Sequence, residues 1–306
     1  MNIAILEPLG VSKEYLKNCI TSKIGDAHHL TFFDDRKEDE ASLVARSQGA
    51  DIVVLSNIPY RKNVIEKCPD LKKICVAFTG VDHIDLAYCK ERGIEVKNCA
   101  GYSTVAVADL VFGLVLSLAR NIPACNVVCR EQGTKNGLVG FELAGKKFGI
   151  LGLGAIGKRV ADIANAFGCE VFAYTRTPNP YPGVTFVEKD ELFRTCDIVS
   201  LHTPLNEQTR GLVGAHELSL MKPDAFLINT ARGGVVDTKS LVEVLREKRI
   251  AGAGIDVFDM EPPIPADYEL AHLPNTVVTP HVAFATKQAF EKRAVIIADN
   301  LKNWLQ

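Results

Sequence analysis

The chain has 306 residues, which is long enough for two domains with separate hydrophobic cores. Its 35 Lys+Arg and 37 Asp+Glu residues give a formal net charge of -2, and no basic block indicates nucleic acid as a partner. No apolar run approaches the ~20 residues of a membrane span, and the N-terminal stretch lacks the basic segment of an export signal, so no membrane partner is expected.

The nine cysteines form an odd set without a C-x-x-C pair. This pattern argues against a disulfide framework and against a structural zinc site, and no metal is expected. Free thiols in a reducing compartment are the simpler interpretation, which predicts a cytoplasmic protein.

The first third of the chain alternates short apolar strands with helical patterns, which predicts βαβ units and a parallel sheet. The predicted strands are 2–6, 30–33, 51–55 and 74–78. The fourth strand leads into Thr79, Gly80 and Val81, at the strand end where open α/β sheets bind ligands. Backbone N–H groups of this turn could form a small anion nest for a carboxylate, and an ordinary turn glycine is the alternative.

A long apolar helix is predicted from about Val105 to Ala119. Because it is apolar on nearly every side, we expect it to be buried between elements or between subunits. Residues 121–145, with Pro123 and several glycines, are predicted to form a loop-rich arm. The helix and the arm together indicate a homodimer.

A short apolar strand that begins at Lys147 leads into the pattern G-x-G-x-x-G and then into an amphipathic helix. Gly152 permits a tight turn, Gly154 lets a pyrophosphate approach the backbone, and Gly157 lets the helix pack closely on the strand. The unpaired N–H groups at the start of the helix then face the phosphates. The pattern also begins like a mononucleotide P-loop, but Arg159 stands where that loop needs Ser or Thr. The segment therefore predicts dinucleotide binding.

Further strands are predicted at 170–174, 198–201, 225–229, 252–257 and 276–279, which indicates a second doubly wound sheet. Arg232, Glu261 and His281 stand just past the ends of three of them. Because the carboxyl ends of parallel strands share one edge, these side chains can converge on one cleft. A cation, a carboxylate and an imidazole suffice to move a proton while a nicotinamide moves a hydride. Taken singly, the three are also compatible with a surface ion pair, a loop carboxylate and a core histidine.

Five motifs, in this order, resemble the D-isomer-specific 2-hydroxyacid dehydrogenase family. They are Gly152–Gly157, Leu201–Leu205, Asn229–Gly233, Gly254–Phe258 followed by Glu261-Pro262, and Thr279–His281. Five ordered motifs are far more specific than one glycine pattern. The stretch after His281 departs from the glycine-rich turn common in the wider family, and is more similar to the glycerate dehydrogenase or hydroxypyruvate reductase branch.

The resemblance implies an α/β fold with two doubly wound parallel-sheet domains, a Rossmann nucleotide-binding domain inserted in a flavodoxin-like substrate domain. Residues 1–99 would form the substrate-binding (catalytic) domain, and residues 100–280 the Rossmann dinucleotide-binding domain. Residues 281–306 would form a C-terminal helix that returns to the substrate domain. Closure of the domains would exclude water from hydride transfer.

The resemblance also implies roles for single residues. Arg232 would bind the substrate carboxylate and polarise the ketone, His281 would exchange the proton, and Glu261 would orient the imidazole. Asp256 would hold the nicotinamide carboxamide, and Phe284 would either shape the substrate pocket or simply pack. The expected substrate-binding residues are Thr79, Gly80, Val81, Arg232 and Phe284. The expected cofactor-binding residues are Gly152, Gly154, Ala155, Ile156, Gly157, Thr175, Arg176, His202, Thr203, Pro204, Thr230, Ala231 and Asp256.

The expected cofactor is NADP or NAD. An acidic residue about 20 positions after the glycines binds the ribose hydroxyls of NAD, and here Thr175 stands in that place. Without the negative charge a 2′-phosphate is not repelled, and Arg176 could pair with it, which slightly favours NADP. If Arg176 points to solvent, NAD remains compatible.

The implied activity is that of an NAD(P)-dependent D-2-hydroxyacid dehydrogenase. Such an oxidoreductase interconverts a small 2-keto acid, such as hydroxypyruvate or glyoxylate, and its D-2-hydroxy acid. The alternative is a dinucleotide-sensing binding protein similar to the C-terminal-binding co-repressors, which share this fold and keep similar residues. Turnover of hydroxypyruvate separates the two. A short-chain dehydrogenase is excluded because no Tyr-x-x-x-Lys pair occurs.

Overall fold

The computed structural model describes residues 1–305, which form two compact units. The first unit contains residues 1–103 together with the C-terminal segment from Ala285, and the second contains residues 104–284. The divisions thus lie after residues 103 and 284, whereas the resemblance implies divisions after residues 99 and 280.

Local contacts explain both positions. The Tyr102 ring packs against Phe78, with 6.2 Å between the ring centroids, so the segment up to residue 103 stays with the first unit. The Asp256 carboxylate accepts two backbone N–H groups from the residues just after His281. His281 therefore belongs to the second unit and not to the C-terminal segment.

The first unit is built on five parallel strands. They are β1 (Asn2–Ile5), β2 (His29–Phe32), β3 (Ile52–Leu55), β4 (Lys73–Val76) and β5 (Glu95–Asn98). Its helices are α1 (Lys13–Ile24), α2 (Glu40–Ser47), α3 (Lys62–Ile65), α4 (Leu86–Glu91) and the C-terminal α11 (Lys287–Leu305). The sheet order is β2-β1-β3-β4-β5, the flavodoxin-like arrangement. All four residues of β3 are buried and apolar, as expected for a strand covered on both faces.

The second unit contains seven parallel strands. They are β6 (Lys147–Leu151), β7 (Glu170–Tyr174), β8 (Val184–Phe186), β9 (Ile198–Leu201), β10 (Phe226–Asn229), β11 (Gly252–Ile255) and β12 (Thr276–Val278). Its helices are α5 (Thr104–Ala119), α6 (Ile122–Arg130), α7 (Ala155–Ala166), α8 (Lys189–Thr195), α9 (Ala215–Leu220) and α10 (Thr238–Arg246). The order β12-β11-β10-β9-β6-β7-β8 is that of a Rossmann sheet with one added strand. The predicted fold class is confirmed.

The structure differs from the predicted elements in three places. The arm 121–145 contains a helix, α6, because Pro123 stands in the first helical turn, where the missing N–H costs no hydrogen bond. Strands β5 and β8 were not predicted. Both lie at sheet edges, β5 carries charged residues and β8 has only three residues, so neither shows a clear apolar pattern.

Within residues 1–305, no single helix is long and apolar enough to cross a membrane. Helices α5 and α6 meet that criterion only when they are counted together, and the chain bends by 59° between them.

Candidate active site

The glycine turn lies where the strand order of the second sheet reverses, between β6 and β9. The loops after these two strands are in close contact. A Cβ on Gly152 would stand only 2.9 Å from the carbonyl oxygen of His202. Gly152 also has a φ of +101°, a conformation that favours glycine. Open α/β sheets bind their ligands in the crevice at this point.

The residues around the turn fit a dinucleotide. A Cβ on Gly154 would meet no atom within 4 Å, so the backbone there faces open space. Ala155 and Ile156 form the first turn of α7, where unpaired N–H groups and the helix dipole favour an anion. The hydroxyl oxygens of Thr203 and Thr230 are buried and have no hydrogen-bond partner among residues 1–305. Because such hydroxyls are costly without a partner, a polar ligand at this edge fits them.

We expect Gly154→Ala to weaken NAD(P)H binding by about tenfold or more, or ~1.4 kcal/mol, with little change in the unfolding temperature. The added methyl group would fill the space beside the backbone without touching a protein atom. The control is Gly157→Ala, whose Cβ would stand 2.3 Å from the Gly152 carbonyl oxygen and would lower thermal stability instead. Fluorescence titration and thermal unfolding measure the two effects. Unchanged affinity in Gly154→Ala would contradict this role.

The loop after β9 carries His202, Thr203 and Pro204. His202 Nε2 lies 2.9 Å from Ser200 Oγ, a contact that the sequence does not indicate because Ser200 stands inside a buried strand. Burial lowers the pKa of His202 to about 3, so its ring is neutral at pH 7. The Pro204 carbonyl accepts the Thr209 hydroxyl at 2.6 Å, which fixes the loop.

The end of β7 carries the two residues expected near the adenosine ribose. Thr175 is half-buried and Arg176 is exposed. Arg176 Nη1 donates to Gln208 Oε1 at 3.3 Å, so the guanidinium is directed toward the loop after β9. Gln208 was not singled out in the sequence, since nothing in its spacing indicates this contact.

Two of the three predicted catalytic residues are in direct contact. His281 Nδ1 lies 2.7 Å from Glu261 Oε2, and the residues come from the segments after β12 and β11. The His281 side chain is 9% exposed and that of Glu261 is 45% exposed. The carboxylate holds Nδ1 and thereby orients the imidazole ring.

A buried carboxylate holds the segment that carries His281. Asp256 is 0% exposed and accepts hydrogen bonds from the Thr279 hydroxyl at 2.6 Å and from the N–H groups of Val282 and Ala283 at 2.9 Å each. Its backbone carbonyl accepts the N–H of His281 at 2.8 Å. Burial raises the pKa of the Asp256 carboxyl, and these hydrogen bonds to the carboxylate oppose that shift.

These contacts account for an uncommon backbone conformation. His281 has a φ of +54°, which a non-glycine residue adopts only where its surroundings fix it. The carboxylate oxygens of Asp256 are engaged within the chain, and the expected contact of Asp256 with the nicotinamide carboxamide stays a prediction. The hydrogen bond from the Thr279 hydroxyl to Asp256 is a further feature of the site, which the motif Thr279–His281 alone does not reveal.

Arg232 lies in the loop after β10. A Cβ on Gly233 would stand 1.8 Å from a carbonyl oxygen of the loop after β11, so the two loops are packed together. The Asn229 side chain donates to the Arg232 carbonyl at 2.9 Å and accepts the Ala231 N–H at 3.0 Å, which fixes the loop. The Arg232 guanidinium donates to the Ala231 carbonyl at 2.9 Å. Arg232 therefore stands at the same sheet edge as the histidine–glutamate pair.

The Phe284 ring packs edge-on against the His281 ring, at 5.4 Å between centroids and an interplanar angle of 86°. It covers one side of the imidazole. In the first unit, Thr79, Gly80 and Val81 form a half-buried turn after β4, as predicted.

Comparison with known proteins gives a consistent result. The family described as D-isomer specific 2-hydroxyacid dehydrogenase, NAD binding domain, matches residues 112–283. A glycerate dehydrogenase from Methylorubrum extorquens is 39% identical over 268 residues, covering 85% of this chain and 84% of that protein. A glyoxylate reductase from Thermococcus litoralis is 40% identical over 262 residues, covering 82% and 78%. An acyclic imino acid reductase solved in complex with NADPH and D-Arg has a TM-score of 0.92 at 32% identity, covering 100% and 97%.

The family match spans more than half of the chain, and both named relatives are oxidoreductases that cover most of it. The expected enzyme class is therefore confirmed, with a nicotinamide dinucleotide as cofactor. The roles of the single site residues stay predictions. The chain belongs to the D-isomer-specific 2-hydroxyacid dehydrogenase family and interconverts 2-keto acids and D-2-hydroxy acids in an NAD(P)-dependent reaction.

Proposed function

We propose that the preferred substrates are small 2-keto acids of the hydroxypyruvate and glyoxylate kind, with the corresponding D-2-hydroxy acids in the reverse direction. The main observation behind the proposed reaction is the 2.7 Å contact between His281 and Glu261. Both residues lie in the unit that contains the glycine turn. Similarity to a glycerate dehydrogenase and a glyoxylate reductase supports the substrate class.

The chemistry that the dinucleotide supplies when bound is hydride transfer at the substrate carbon. His281 holds a proton on Nε2 and donates it to the keto oxygen during reduction. In oxidation the same nitrogen takes the proton from the hydroxyl group. Glu261 accepts the Nδ1 hydrogen and stabilises the imidazolium charge while His281 is protonated. One hydride and one proton thus convert the ketone to the alcohol.

We assign substrate binding to two groups of residues. Arg232 binds the carboxylate through charge-assisted hydrogen bonds and polarises the ketone. The N–H groups of Thr79, Gly80 and Val81 bind the carboxylate as an anion nest. Phe284 limits the size of the substrate side chain and shields the imidazole from water.

A substrate panel tests this assignment. Initial rates are measured for glyoxylate, hydroxypyruvate, pyruvate and 2-ketoisocaproate, each with NADH and with NADPH. We expect the highest kcat/KM for hydroxypyruvate or glyoxylate. A higher kcat/KM for 2-ketoisocaproate would show that the pocket is built for a large apolar side chain and would overturn the proposed substrate class.

We further propose a preference for NADPH, which the hydroxyl group at Thr175 and the adjacent Arg176 support. The imino acid reductase similar to this chain binds NADPH. Arg176→Ala is expected to lower kcat/KM for NADPH by about tenfold, or ~1.4 kcal/mol, and to leave that for NADH within about twofold. Arg194→Ala, at an exposed position of α8, is the matched control. An unchanged NADPH/NADH ratio in Arg176→Ala would rule out the phosphate pairing.

We also propose a cytoplasmic homodimer. The nine free thiols support a reducing compartment. Helix α6 has no buried residue, and Val127 and Val139 are 50% and 88% exposed, so this apolar surface suits a second copy of the chain. Val127→Glu is expected to halve the mass measured by light scattering, and Val295→Glu on α11 is the control. A monomeric wild type, or a dimeric Val127→Glu variant, would contradict this interface.

A further inference from the structure

Arg293 is a charged side chain in the interior of the first unit. It lies on α11, is 3% exposed, and its guanidinium carbon is 4.8 Å from the ring centroid of Phe290 and 5.4 Å from that of Tyr102. Burying a charge is costly unless hydrogen bonds and opposite charges compensate it. The partners of this guanidinium therefore indicate what it holds in place.

Those partners come from the carboxyl ends of three strands. Arg293 Nη2 donates to the Leu9 carbonyl at 2.6 Å, and Nη1 donates to the Ala77 carbonyl at 3.0 Å and to Ser56 Oγ at 3.4 Å. The buried carboxylate of Glu7 accepts the Ser56 N–H at 2.7 Å, which brings a negative charge to the same edge. One guanidinium thus ties the loops after β1, β3 and β4 together.

The loop after β4 is the proposed carboxylate-binding turn, and the three carbonyl groups of residues 77–79 that lead into it all accept hydrogen bonds from the protein. The Ala77 carbonyl accepts Arg293, the Phe78 carbonyl accepts the Cys99 N–H at 3.0 Å, and the Thr79 carbonyl accepts Asn98 Nδ2 at 2.7 Å. In the part of the chain that the structure describes, the N–H groups of residues 79–81 donate to no protein acceptor. The carbonyl groups of residues 77–79 thus bind protein donors, and the N–H groups of residues 79–81 remain for an anion.

A second residue of α11, on the same face as Arg293, is connected to this turn by hydrogen bonds. Asn300 stands seven residues after Arg293, two helical turns along α11 and therefore on the same face. Its Nδ2 donates to the Asn98 carbonyl at 2.9 Å, and the Asn98 side chain donates in turn to Thr79. Helix α11 thus holds the first and the last of the three carbonyl groups of residues 77–79. Arg293 binds the Ala77 carbonyl directly, and Asn300 acts on the Thr79 carbonyl through Asn98.

We propose that Arg293 is a positioning residue for substrate binding: it fixes the peptide groups of residues 77–79 so that the N–H groups of residues 79–81 point at the substrate carboxylate. This inference rests on the proposed function of that turn. Arg293 itself touches neither substrate nor cofactor. Its loss would cost substrate affinity and leave cofactor affinity unchanged.

The test compares Arg293→Met, which keeps the length of the side chain, with Arg293→Lys, which keeps the charge. Arg293→Met is expected to raise KM for hydroxypyruvate by about tenfold or more, with the Kd for NAD(P)H within twofold of wild type, and Arg293→Lys should recover part of the loss. Hydrogen exchange of the 77–84 peptide should be faster in Arg293→Met. This readout does not depend on which substrate is correct.

Arg92→Met is the matched control, because Arg92 also binds backbone carbonyls of the first unit, those of Ile65, Cys68 and Pro69. It is expected to lower thermal stability without changing KM.

Asn98→Ala, which removes one hydrogen bond, should raise KM to a smaller extent and replaces Arg293→Met in the test if that variant fails to fold. A KM within twofold of wild type in Arg293→Met and unchanged exchange of the peptide would overturn the inference. Faster exchange together with no turnover of any keto acid by the wild type would instead refute the proposed substrate class alone.

Discussion

Replacement of His281 by alanine is expected to lower kcat by about 10²–10⁴-fold and to leave the Kd for NAD(P)H nearly unchanged. His281 contacts Glu261 at 2.7 Å and is the proposed proton donor, whereas the proposed dinucleotide site at the glycine turn uses the backbone. Steady-state kinetics with saturating cofactor measure kcat, and fluorescence titration measures the Kd.

Two further variants make this result specific. Glu261→Gln keeps an oxygen that can accept the Nδ1 hydrogen and removes the negative charge, so a smaller loss of kcat is expected. His216→Ala removes an exposed histidine that pairs with Asp190 at 2.9 Å, and kcat should stay at the wild-type value. Normal turnover in His281→Ala would remove His281 from its proposed role.

Asp256→Asn is expected to lower both kcat and the unfolding temperature. The carboxylate accepts three hydrogen bonds from the segment that carries His281. An amide offers one acceptor oxygen and turns its NH₂ group toward donors, so at least one N–H loses its partner in a buried site, at a cost of about 1–3 kcal/mol. The histidine is then no longer held at its left-handed backbone conformation. We expect a loss of kcat of about 10²-fold.

The same variant separates the two roles considered for Asp256. If the carboxylate chiefly holds the nicotinamide carboxamide, the Kd for NAD(P)H rises and the unfolding temperature stays unchanged. If it chiefly holds the His281 segment, kcat and stability fall together and the Kd changes little. Asp197→Asn is the control, because Asp197 accepts the Lys147 N–H and pairs with Lys222 in the same unit. It should lower stability and leave kcat unchanged.

The sequence patterns predicted the sheets well where strands are central and apolar. Buried strands such as β3, β9 and β10 consist of buried residues throughout, so an apolar run marks them. The strands β5 and β8 were missed because β5 carries charged residues and β8 has only three residues, so neither shows a clear apolar pattern. Helix α6 was missed because prolines and glycines indicate loops unless the position of a proline in the first turn is known.

The candidate site was predictable in its members and not in its contacts. Strand ends place Arg232, Glu261 and His281 at one sheet edge from topology alone. The role of Asp256 depends on where the hydroxyl of Thr279 and two backbone N–H groups point, and the role of Arg293 depends on a helix that returns from the far end of the chain. The spacing of residues along the sequence shows neither the orientation of these hydrogen-bond donors nor the place where the helix packs.

The first unit is built from two segments that lie far apart in the chain, residues 1–103 and the segment that contains α11. This arrangement affects the order in which the protein folds during synthesis. Helix α11 packs on α1 and β4, so the sheet of the first unit lacks this cover until α11 has left the ribosome. Residues 104–284 are contiguous and have a complete core of their own, so the nucleotide-binding unit finishes folding first. Residues 1–103 are therefore translated before the nucleotide-binding unit and complete their fold after it.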